Sequence, residues 1–253
     1  MNYQYHYTKN PVAKKNMYDE SARTIKADKI IAVLRDHLGE TRQLSMLDVS
    51  CSTGVMCSAM GEHFARVAGI DIDSEAVENA RSKYAGGNLE FHVMDALRMS
   101  FPDGSFDVVI CNQMYEHVPD AGQLLREIYR VLVPGGVCYF GATNRLKIIE
   151  THYGRLPFLS YLPKPLAHFY LQMLGRGTYY YETLYTCASL KRLCNDFKRV
   201  DYTVRVIEDP EKFCATDVIG VGTMGQRLAL MMLKFAYWAS PGYIWLLVKP
   251  EKT

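Results

Sequence analysis

The chain has 253 residues, 49% of them apolar, and a formal net charge of +2. A chain of this length can bury roughly 70 to 75% of its unfolded surface without disulfide or metal support, and so small a charge excludes the broad basic field of a nucleic-acid binder. The seven cysteines (Cys51, Cys57, Cys111, Cys138, Cys187, Cys194 and Cys214) are odd in number and scattered without a C-x-x-C pair. They exclude zinc-ribbon and dithiol readings and predict a reducing cytoplasm.

Residues 1–7 lack an apolar run, so no signal peptide is expected. Tyr3, Tyr5, Tyr7 and Tyr18 suggest a packed or mobile arm. Over residues 19–38, Ala22, Ile25, Ile30, Ile31, Leu34 and Leu38 recur near helical spacing, making residues 1–40 a helical cap. Residues 44–54 are an apolar strand that ends in Asp48 and turns through Ser50, Cys51, Ser52 and Gly54 into a helix starting near Thr53. Small side chains let a ligand approach the backbone there, and the helix N–H groups can take a carboxylate or phosphate. A second strand ends in Asp71, where a dinucleotide fold places its ribose-binding carboxylate. Asp73 or Ser74 would cap the helix that follows.

A third strand leads to Asp95-Ala96 and a fourth ends at Asn112. Residues 121–132 carry Leu124, Leu125, Ile128, Val131 and Leu132 on one helical face, stopped by Pro134-Gly135-Gly136 before a fifth strand over 137–143. This alternation predicts a parallel sheet with helices on both faces and a ligand site outside the carboxyl ends of the strands.

Residues 47–54 (LDVSCSTG), Gly69-Ile70-Asp71, Asp95-Ala96 with 101–107 (FPDGSFD), Glu116-His117-Val118 and 130–136 (RVLVPGG) occur in that order between residues 40 and 145. Together they resemble the class I S-adenosylmethionine-dependent methyltransferases, in the broad group that includes quinone-biosynthesis enzymes. The resemblance implies an α/β, Rossmann-like doubly wound sheet of about seven strands, mostly parallel with the last strand antiparallel. It implies S-adenosylmethionine as cofactor, with the turn from Asp48 through Ser50 and Ser52 to Gly54 on its amino acid end. Asp71 would accept both ribose hydroxyls and Asp95 the adenine amine; Ile72 and Ala96 would sandwich the ring, and Asn112 completes the set. The family has Gly where this chain has Ser50, and often at Ser52; Ser50 forced to positive φ would cost roughly 1 kcal/mol or more.

Residues 146–186 break the alternation with Pro157, Pro163, Pro165 and many aromatics, and carry Arg155, Lys164 and Arg176. This reads either as a lid for an amphipathic or anionic acceptor or as packing alone. A helix over 189–197, a strand over 199–208, a second insertion over 209–240 and a final strand over 243–248 complete one domain, 1–253. Residues 228–248 hold a single charge, Lys234, but Ser240-Pro241-Gly242 splits them into a helix and a strand rather than a membrane span.

Methyl transfer to a hydroxyl needs alignment and a base. The candidates are Glu116, His117 and His152, beside Tyr115, Glu150 and Tyr153. Gln113 stands where some quinone-forming relatives have a metal-binding acid, so no metal is expected. The resulting expectation is O-methylation of a small-molecule, glycan or lipid-linked acceptor by a cytoplasmic monomer or homodimer. Peripheral membrane contact through the basic, aromatic insertion stays open, as does a degenerate fold serving as a non-catalytic partner. A nicotinamide oxidoreductase is disfavoured, because the turn lacks the later glycines of G-x-G-x-x-G.

Overall fold

The structure, a computed structural model, describes residues 19–251, so the four N-terminal tyrosines lie outside the described residues. Helix α1 (Glu20–Leu38) is capped by Asp19, whose carboxylate accepts from Ala22 N, and leads into β1 (Ser45–Asp48). There follow α2 (Val55–Met60), β2 (Arg66–Asp71), α3 (Ser74–Tyr84), β3 (Leu89–Val93), β4 (Phe106–Asn112), α4 (Ala121–Val131) and β5 (Leu132–Thr143). The first insertion carries a hairpin, β6 (Ile149–Glu150) and β7 (Leu156–Pro157), and helix α5 (Lys164–Met173). Helix α6 (Cys187–Leu193), β8 (Lys198–Asp201), α7 (Thr203–Glu208), α8 (Met224–Ala236) and β9 (Gly242–Val248) close the described chain.

Seven strands form one sheet in the order β3-β2-β1-β4-β5-β9-β8, with β9 antiparallel to both its neighbours and the remaining pairs parallel. This is the expected Rossmann-like sheet. The alternation of strand side chains divides the core in two. Leu47, Val109 and Cys111 point into a layer covered by α4 and α6. Met46, Val108 and Ile110 point into the opposite layer, covered by α1, α2, α3 and α7. Near-continuous apolar strands are what a sheet buried on both faces requires.

Two expectations change. The strand expected over 199–208 ends at Asp201, whose carboxylate accepts from Thr203 N at 2.8 Å and starts α7 instead. Strand β5 begins at Leu132, so Pro134-Gly135-Gly136 lie inside it as an irregular stretch where the β4–β5 register shifts. Gly135 takes φ 76° there, and its N–H donates to Lys249 O at 3.0 Å. Residues 228–248 do divide into α8 and β9, and no helix among the described residues is long and apolar enough to cross a membrane.

The first insertion has a small core of its own, built from Tyr153, Leu156, Leu159, Ala167, Leu171 and Tyr180. The first insertion leaves the carboxyl end of β5 and the second returns to the sheet beside it, at the start of β9; Asn144 joins them there. Its Nδ2 donates to Trp238 O (2.9 Å), Ser240 O (2.7 Å) and Tyr243 Oη (2.9 Å), and its Oδ1 accepts from Leu146 N (3.1 Å).

Gly54 caps α2 at φ 79°, and a Cβ added there would lie 2.8 Å from Ala80 Cβ and 3.0 Å from Phe91. Strain and overpacking act together at this position. Gly54→Ala is expected to lower the free energy of unfolding by about 3 kcal/mol. Urea denaturation measures it, and a loss below about 1 kcal/mol would mean that α2 shifts to make room.

Candidate functional site

The carboxyl ends of β1, β2 and β4, with the loop after β3, open into a cavity of about 530 Å³. Asp48, Ser50, Ser52, Asp71, Ile72, Asp95, Ala96 and Asn112 all line it, as do His117 and His152. Gly54 and Glu116 do not line it: Gly54 packs against α3 and β3, and Glu116 is enclosed behind the cavity wall.

The turn after β1 holds the acids in place with backbone donors. Ser50 N donates to Asp48 Oδ1 (3.0 Å), while Ser52 N (2.9 Å) and Asp73 N (2.9 Å) each donate to one oxygen of Asp71. Each Asp71 oxygen keeps a further lone pair for a hydroxyl donor. Burial pushes the Asp48 carboxyl up to about 6 and raises that of Asp71, a tendency that a cationic or hydroxyl-bearing ligand would offset. The residue held at positive φ is Ser52, at 51°, and not Ser50. Asp95 Oδ1 accepts from Leu97 N at 2.8 Å, beside the apolar surface of Ile72, Met94 and Ala96.

The wall opposite comes from α1, whose Ala22, Arg23 and Lys26 line the cavity; Lys26 Nζ reaches Gln113 Oε1 at 3.2 Å. The sequence predicts a helical cap here but does not say which of its side chains turn inward. Gln113, Met114 and Thr151 were likewise missed as lining residues.

At the far end, the β6–β7 insertion brings His152 edge-on to His117, ring centroids 5.0 Å apart. His152 Nδ1 lies 2.6 Å from Glu150 Oε1, and Glu150 also accepts from Lys147 Nζ (2.8 Å) and Tyr180 Oη (3.0 Å). Burial alone would raise the pKa of Glu150, but His152 and Lys147 outweigh it and hold the group at about 2. Burial works against charge on His152, yet the Glu150 hydrogen bond and the nearby Glu182 and Glu150 carboxylates raise it above the usual imidazole value. Burial, reinforced by His152, drops His117 to about 3, so that ring stays neutral. Glu116 and Glu182 are pushed up by burial. The metal-free expectation rested on Gln113; the insertion supplies another donor, and one ligand atom from each of Glu116, His117 and His152 lies within 4.8 Å of the others, close enough to share a cation.

Residues 47–140 match the family described as methyltransferase domain. A ubiquinone biosynthesis O-methyltransferase of Psychrobacter arcticus is 33% identical over 164 residues, which cover 62% of this chain and 60% of that protein. One from Pseudomonas entomophila is 35% identical over 138 residues, covering 53% and 55%. The chain therefore spans well under two thirds of the length of these relatives. An S-adenosylmethionine-dependent methyltransferase structure from Mesorhizobium loti superposes with a TM-score of 0.56 at 16% identity, covering 85% of this chain and 95% of that one.

Proposed function

We propose that this chain, which carries a methyltransferase domain of the class I S-adenosylmethionine-dependent type, transfers a methyl group to an oxygen of a small-molecule, glycan or lipid-linked acceptor. One observation carries the reading: a carboxylate-backed imidazole, His152 on Glu150, lines the same cavity as Asp48, Asp71 and Asp95.

The residues present fit the cofactor. Asp48 with the Ser50–Ser52 turn suits a charged amino acid end, Asp71 a vicinal diol, and Asp95 with Ile72, Met94 and Ala96 an amino-substituted flat ring. S-Adenosylmethionine, when bound, supplies an electrophilic methyl on a sulfonium, a good leaving group. The protein then has to align the acceptor, exclude water and remove one proton. With Nδ1 held by Glu150, Nε2 of His152 is left to the cavity and takes the acceptor hydroxyl proton. Glu150 balances the imidazolium so formed, and Lys147 and Tyr180 keep Glu150 from turning away. Neutral His117 can accept or donate a hydrogen bond to the acceptor without competing for the charge.

Calorimetric titration tests the first half of this reading. S-Adenosylmethionine and S-adenosylhomocysteine should bind at micromolar concentration and NAD should not. The affinity for S-adenosylmethionine should weaken as pH falls through about 6, because Asp48 takes up a proton there and loses its attraction for a cation. Absence of binding would favour the non-catalytic reading, with the strained Ser52 as its physical basis.

A further inference from the structure

Exposed large apolar side chains are not spread over this molecule. Among the described residues, apart from Ile25 and Val93, they fall in two segments, 148–181 and 218–238. Helix α8 shows the pattern most clearly. Met224, Leu228, Met231 and Phe235, continued by Trp238, are each more than half exposed, Phe235 by 77%. Within α8 the spacing of four, three and four residues places the first four on one face, and Trp238 follows in the short turn beyond the helix. The orientation is fixed from behind: Leu233 is buried, and Gln226 Nε2 donates to Ile207 O at 2.8 Å.

The charges on the stripe's own helix share one sign. Helix α8 carries Arg227 and Lys234 and no acid, and the sequence has no Asp or Glu from residue 218 to 250. In the first insertion the acids Glu150 and Glu182 are buried, while Leu166, Phe169 and Met173 form a second exposed stripe on α5. The first segment leaves the sheet where the second returns to it, since Asn144 at the end of β5 holds Trp238 O and Ser240 O. That is the end at which the cavity opens.

We infer that the α8 stripe is a docking surface for an anionic phospholipid bilayer. A stripe of Met, Leu, Phe and Trp flanked by Arg and Lys suits the boundary between headgroups and acyl chains, and a leaflet of anionic lipid supplies the opposite charge. Face-to-face pairing with the α8 of a second copy supplies none of that charge, because it sets Arg227 and Lys234 against themselves. The surface gives the methyl-transfer reading a lipid-borne acceptor, and lipid binding is measured without turnover, so each can fail alone.

Co-sedimentation of the full chain tests this, with vesicles of pure phosphatidylcholine and of equal parts phosphatidylcholine and phosphatidylglycerol. The protein should pellet with the mixed vesicles and stay in solution with the neutral ones. Phe235→Ser should weaken binding to the mixed vesicles about tenfold, with unchanged circular dichroism because the side chain is exposed. Arg227→Ser with Lys234→Ser should weaken it by about fivefold per charge and flatten its salt dependence. Protein that stays in solution with both vesicles overturns the inference. So does a concentration-dependent dimer in sedimentation velocity that Phe235→Ser abolishes while vesicle binding is absent. A third overturning result is mixed-vesicle binding that neither variant changes.

Discussion

His152→Ala is expected to lower turnover by about a thousandfold while the affinity for S-adenosylmethionine stays within about twofold of wild type, the range for loss of a general base. The expectation follows from position. His152 reaches the cavity from the insertion, on the side of His117, whereas the three acids suited to the cofactor sit at or just past strand ends of the core. Removing the ring takes away the proton acceptor and leaves Glu150 buried beside Lys147 with its ion pair intact. Glu150→Gln should give a smaller loss: the amide can still hydrogen-bond Nδ1 but no longer balances the imidazolium. Single-turnover methyl transfer to a phenolic or sugar hydroxyl measures both variants. Wild-type rates for His152→Ala would remove it from the chemistry.

The second large effect is on binding. Asp71→Ala should weaken S-adenosylmethionine by about 2 kcal/mol or more, roughly thirtyfold, because a charged acceptor is lost and the Ser52 N–H that it held is left without it. Asp71→Asn keeps one carbonyl oxygen and should fall between the two. Calorimetry reads both, with thermal unfolding as a control for the turn itself. Equal affinity for Asp71→Ala and wild type would refute the assignment to the ribose.

How much of this could be read from the sequence depends on the kind of interaction. The strands that build the site were legible because each is a short apolar run with a polar end, and a parallel sheet lines such ends up along one edge. That is why Asp48, Asp71, Asp95 and Asn112 meet in one cavity. The sharpness of the turn was legible too, but the residue bearing its strain was not, since Ser50 and Ser52 differ only in a dihedral angle that pattern does not encode. Residues 203–208 read as strand because Val204, Val206 and Ile207 favour it, but the strand stops at Asp201, whose carboxylate accepts from Thr203 N, and 203–208 fold as a helix. The inward turn of Arg23 and Lys26 depends on how α1 lies across the sheet. Glu150 and His152 were visible as residues, whereas their pairing needed the hairpin that brings the rings of His152 and His117 together.

The separate core of the first insertion has a consequence for how such a protein diversifies. Tyr153, Leu156, Leu159, Ala167, Leu171 and Tyr180 stabilise the segment from within, and its ties to the sheet include Asn144, Thr183 N on Glu116 O and Tyr185 N on Tyr115 Oη. The segment is thus a cassette clamped at the end of the molecule where the cavity opens. Its sequence can drift, or be exchanged for another of the same end-to-end span, while the strand ends that hold the acids keep their register. On the methyl-transfer reading proposed above, selection for a new acceptor and selection for the methyl donor would then act on different stretches of the gene.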